Sequence, residues 1–101
     1  MQEDQIKQAI MVKEIFEERK TSLEITLEHF KTLKEVARSE KNKLKYDILV
    51  AECELSLEFV KDRLEKTTKV LDIHSRITSD DISFAEKMEC VLEMIEIISD
   101  L

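Results

Sequence analysis

The chain has 101 residues, 39% of them charged and 43% hydrophobic, with a formal net charge of −7 and neither glycine nor proline. Average usage would place roughly 12 glycines and prolines in this length, and β-hairpin turns, phosphate-cradling loops and nucleophile elbows nearly all draw on glycine. Such motifs are therefore excluded, and the acidic balance argues against a nucleic-acid binder, which needs a basic face for the phosphates.

From about residue 2 to residue 38, apolar side chains recur at Ile6, Ala9, Ile10, Ile15, Phe16, Leu23, Leu27, Phe30, Leu33 and Ala37. Spacings of three, four and seven mark one helical face, and predict a helix about 55 Å long. Thr21 to Glu24 matches a capping box that would interrupt it. Phe16, Leu23 and Phe30 nevertheless hold register across that point, which favours a continuous helix.

Residues 39–43 are the candidate turn. Asn42, the only asparagine in the chain, tolerates the left-handed conformation that closes a helix. The register of Ala37, Leu44, Ile48, Ala51 and Leu55 also runs straight through, so an uninterrupted rod of about 100 Å stays open as the alternative. Between 44 and 77 the apolar surface widens into two lines. Leu44, Ile48, Ala51 and Leu55 form one; Leu49, Cys53, Leu57, Val60, Leu64 and Leu71 form its neighbour. A helix with two apolar lines is usually contacted from two directions.

Residues 78–81 read as a kink, with Ser79 or Asp80 as N-cap, and Ser83 to Glu86 offers a second capping box. A last helix over 82–101 is expected to turn Ile82, Ala85, Met88, Val91, Leu92, Ile95, Ile98 and Leu101 inward. The expectation is thus a single all-α domain over 1–101, an elongated antiparallel helical hairpin plus a third helix.

The sequence offers no catalytic, cofactor-binding or metal-binding residues. His29 and His74 belong to no His-Glu-x-x-His or Glu-x-x-His arrangement, and there is no Cys-x-x-Cys. Both histidines read as solvated helix residues. Cys53 and Cys90 read as buried free thiols of a reducing compartment rather than a disulfide or a reactive pair. Met1 to Ile15 carries acids and no continuous apolar core, unlike a signal peptide, and no run approaches 18 apolar residues. A cytoplasmic protein is expected.

Charge is unevenly placed. Between Lys31 and Lys45 lie six bases against two acids, a local +4, whereas from Asp80 onward there are seven acids and one base. In a hairpin the basic cluster crowns the tip, where Arg38, Lys41, Lys43 and Lys45 become candidates for contact with anionic lipid headgroups. A solvated tip complementing the helix ends is the alternative.

The chain also resembles a known family. Residues 6–19 (IKQAIMVKEIFEER) look like the start of the second BAR helix of sorting nexins. Residues 43–48 (KLKYDI), 51–55 (AECEL) and 59–71 (FVKDRLEKTTKVL) are similar to the following helix, and 84–101 (FAEKMECVLEMIEIISDL) resembles the family's last helical stretch. The family's first BAR helix, its phosphoinositide-binding PX domain and its late tryptophan have no counterpart in these residues. The resemblance implies an elongated antiparallel dimer, homo- or heteromeric, that senses or shapes endosomal membrane as a peripheral protein. It would use the basic tip for lipid. It would use Leu44, Ile48, Leu55, Val60, Leu64, Phe84, Met88, Val91, Ile95 and Ile98 as core and dimer seam. A soluble coiled-coil scaffold and a monomeric partner-binding bundle are the competing readings. All three are non-enzymatic and need no cofactor.

Overall fold

A computed structural model describes residues 3–100, which form three α-helices and no strand: α1 Glu3–Val36, α2 Glu40–Ile77 and α3 Phe84–Ser99. At 1.5 Å per residue, α1 and α2 are about 51 and 57 Å long. Thr21 sits inside α1, its hydroxyl donating to the Glu17 carbonyl at 3.1 Å. This back-bonding, repeated by Thr26 to Ser22 and Thr32 to Glu28, lets a threonine stay within a helix. The capping-box pattern at Thr21 is therefore not used.

The chain reverses after α1, so the uninterrupted rod is not formed. The turn is shorter and earlier than the expected 39–43. Ala37 N–H donates to the Lys34 carbonyl at 3.3 Å, tightening the end of α1. Ser39 then caps α2: its Oγ accepts from Asn42 N–H at 3.1 Å and its carbonyl from Lys43 N–H at 3.0 Å. Asn42 is thus a first-turn residue of α2, and no described residue has positive φ. A serine N-cap, and not a left-handed asparagine, supplies the reversal.

Packing divides the chain into two compact units, one running from Phe16 to Asp62 and the other combining the chain up to Ile15 with that from Arg63 onward. In the first, Leu27, Cys53 and Leu57 are buried, with Leu23, Phe30 and Val50 against them. Leu23, Leu27 and Phe30 ascend α1 in steps of four and three. Val50, Cys53 and Leu57 ascend α2 in steps of three and four, the mirrored spacing that two antiparallel helices need to interleave. Lys34 and Asp47 form an ion pair near the turn.

In the second unit the core is Val70, Ile73, Cys90 and Met94, packed by Ile77, Ile82 and Ile97. Ile73, at 1% exposure, is its most enclosed side chain. Thr67 is buried too, and its hydroxyl donates to the Arg63 carbonyl at 2.8 Å. The helix α2 ends where Thr78 N–H and Thr78 Oγ1 both reach the His74 carbonyl at 3.1 Å. Its last turn carries Arg76, a cation of the sign that the helix dipole favours there.

The N-cap of α3 is Ser83, with extended backbone and an Oγ that accepts from Glu86 N–H at 3.3 Å. Ser79 and Asp80, the other candidates, lie in the connection, where Ser79 Oγ accepts from Asp81 N–H at 3.2 Å. Consequently α3 starts at Phe84 and not at residue 82. Its far end is held by α2, since Arg63 Nη1 donates to the Asp100 carbonyl at 3.4 Å, a cation against a helix C-terminus.

Candidate interaction surfaces

Successive residues of an α-helix are rotated by about 100°, so the two apolar lines of α2 can be placed around its axis. Cys53, Leu57 and Val60, buried at 9%, 8% and 2% exposure, form the inward line. Leu44, Ile48, Leu55 and Phe59 are all more than half exposed, and Ala51 between them is exposed as well. This second line lies roughly opposite the first, and is not its neighbour as expected. One helix therefore carries a core face and, behind it, a continuous apolar stripe that faces water.

The same separation recurs on α3 with a different outcome from the expected one. Cys90, Met94 and Ile97 face inward. Phe84, Met88, Leu92, Ile95 and Ile98 are exposed, Phe84 at 79%. Val91 is half-buried and Ala85 exposed; Ile82 does pack against the core, and Leu101 lies outside the described residues. The line expected to be the core of α3 is thus mostly its outer surface. Apolar residues cover more than half of this helix, and spacing alone does not say which sector meets α2. The remaining sector is acidic: Glu86, Glu89, Glu93 and Glu96 are all exposed.

Among the seam candidates, Leu44, Ile48, Leu55, Phe84, Met88, Ile95 and Ile98 are accessible. Leu64 and Val91 are half-buried. Val60, at 2% exposure, belongs to the interior, the core part of that expectation. Phe59 and Leu92 extend the two exposed stripes and were absent from the sequence-derived seam. Their signal was present in the four-residue steps from Leu55 to Phe59 and from Met88 to Leu92. Beside the α2 stripe, an open groove of about 600 Å³ is lined by Arg19, Leu23, Leu55, Ser56, Phe59 and Val60.

At the tip, Arg38, Lys41, Lys43 and Lys45 are all exposed. Lys43 pairs with Glu40 at 3.7 Å, and Lys31 with Glu28 at 3.6 Å. Surface pairs of this kind contribute about 0–1 kcal/mol. Arg38, Lys41 and Lys45 enter no ion pair among the described residues, and Lys45 Nζ lies 5.8 Å from the centre of the neighbouring Tyr46 ring. The uncompensated positive charge of the tip resides on those three side chains.

The chemistry-bearing residues do not converge. His29 is exposed beside Phe30, its ring 6.2 Å away. His74 closes α2. Cys53 and Cys90 are free, buried and members of different clusters. Among the described residues no three of His, Cys, Asp or Glu are grouped to hold a metal ion, and no helix is long and apolar enough to cross a membrane. Comparison with family models, with curated proteins and with solved structures gives no match.

Proposed function

We propose that the chain is a non-enzymatic helical scaffold that self-associates through the exposed stripe of α2. The observation that carries this reading is the line of Leu44, Ile48, Leu55 and Phe59 behind the core face of the same helix. Fully burying one such side chain is worth about 1.5–3 kcal/mol. Because each is already partly covered, the stripe offers on the order of 5 kcal/mol, and two facing stripes about twice that. Association opposes this with about 4–15 kcal/mol of lost translational and rotational freedom, so any complex is reversible and not tight. Contiguous exposed apolar surface of this kind commonly marks a protein interaction site.

Sedimentation equilibrium across a concentration series tests it. Self-association is expected for the wild type. The double variant Ile48→Glu, Leu55→Glu is expected to run as a monomer with unchanged helicity by circular dichroism. A wild type that stays at 11.9 kDa at high micromolar concentration would overturn the proposal.

A second reading is favoured by the tip. Arg38, Lys41 and Lys45 are exposed and unpaired among the described residues, and each base near an anionic leaflet contributes about 1 kcal/mol. One tip binds weakly at that strength, whereas an oligomer presents several tips to one surface and gains by avidity. The sequence resemblance to sorting nexins, and not the tip itself, supplies the further proposal that this surface is an endosomal membrane in a trafficking role.

A further inference from the structure

Two stripes on different helices, exposed except at the half-buried Val91, share one spacing. Leu44, Ile48, Ala51 and Leu55 on α2 advance by four, three and four residues, and so do Phe84, Met88, Val91 and Ile95 on α3. Steps of three and four are the repeat by which side chains of one helix enter the holes of another. Set antiparallel, the stripes match throughout: Leu44 meets Ile95, Ile48 meets Val91, Ala51 meets Met88 and Leu55 meets Phe84. The small Ala51 then faces the long, adaptable Met88.

Charge selects this pairing. Lys41 and Lys45 border the α2 stripe on one edge, and Glu96 and Glu89 lie on the corresponding side of α3, just beyond Leu92 and Ala85. Two helices packed face to face bring corresponding edges together only when antiparallel, which sets Glu96 between Lys41 and Lys45. Pairing α3 with a second α3 would instead bring Glu89 against its own copy. Pairing α2 with a second α2 would leave Phe84, 79% exposed, and its stripe in water. One repulsive contact remains, because Glu52 falls on the same edge as Glu89.

We infer that α3 of one copy docks antiparallel on the α2 stripe of a second copy. The inference rests on the self-association reading and names the surface that covers the stripe.

Disulfide trapping with the full chain tests it. Leu44→Cys and Ile95→Cys, made separately and mixed under mild oxidation, are expected to give a mixed dimer. The native Cys53 and Cys90 are buried. A Leu44→Cys and Leu55→Cys mixture is expected to remain monomeric on denaturing gels. Trapping of that second pair in place of the first would mean α2 meets α2, overturning the inference while leaving self-association intact. A wild type that does not self-associate would overturn both. As a second measurement, Lys45→Glu and Glu96→Lys are each expected to weaken association about three- to fivefold, and the two together to restore it. Failure of the double variant to recover would also overturn the pairing.

Discussion

Leu55 and Leu57, two residues apart on α2, differ in exposure by 68% against 8%. Rotated by about 200° from one another, they divide the work of one amino-acid type between interior and surface. Substituting each with alanine therefore separates stability from association. Leu57→Ala is expected to cost about 3 kcal/mol, and Leu55→Ala within about 0.5 kcal/mol, both read by urea denaturation at low protein concentration. In sedimentation the order reverses, Leu55→Ala raising the dissociation constant. Equal destabilisation by the two would contradict the facing assigned to α2.

Ile73 anchors the core of the unit that contains α3. Its replacement by alanine removes three methyl or methylene groups from a site at 1% exposure, so a loss of about 3–4 kcal/mol is expected. Hydrogen exchange should show α3 amides losing protection, because Cys90 and Met94 pack in the same cluster. An unchanged unfolding midpoint would show the cluster to be misplaced.

The turn gives a paired test. Ser39→Ala removes the acceptor for Asn42 N–H and should destabilise by about 1 kcal/mol. Asn42→Ala should be neutral or slightly stabilising, since alanine is the better helix former. A cost at Asn42 with none at Ser39 would restore the left-handed asparagine as the reversal point.

Thr67 is buried and donates only backward along its own helix, to Arg63. Such a bond slightly strains the helix, and the Arg63 carbonyl keeps its helical partner when the hydroxyl is gone. Thr67→Val should therefore leave the melting temperature unchanged or raise it. A drop of several degrees would point to a polar partner for this hydroxyl.

At the tip, reversing Arg38, Lys41, Lys43 and Lys45 to Glu should abolish co-sedimentation with anionic liposomes and leave helicity intact. All four are exposed, so folding does not depend on them. Raising salt should weaken wild-type binding in parallel, as screening requires. Binding that survives both treatments would rule out the tip as the lipid contact.

The parts of this fold that were legible in the sequence are those where only one arrangement of apolar residues was available. Leu23, Leu27 and Phe30 form a single line on α1, and that line is its core contact. Farther toward the N-terminus the line continues through Phe16 and Ala9, both half-buried, whereas Ile10 and Ile15, rotated well away from it, are exposed. On α2 the pair of lines was visible, but apolar character is common to both, so which one faced inward was not. On α3 the same ambiguity holds, and the sector that meets the core is that of Cys90, Met94 and Ile97. The turn was hard to locate because neither glycine nor proline marks it, and the apolar register on either side agrees. Ser39 differs from its neighbours by one short hydroxyl, a signal whose meaning depends on where the helix already ends. The capping box at Ser83 was readable, since a hydrophobic run follows it directly.

The reversal at the tip is made without a left-handed residue, and of residues 37–39 only Ser39 contributes a side-chain bond to it. The backbone accordingly places no demand on Arg38, Lys41 or Lys43. Geometry is indifferent to what those positions carry, so the tip is open to variation: substitutions there alter its surface character without disturbing the helices. The positive charge of those three side chains is therefore a property of the surface that the fold does not impose.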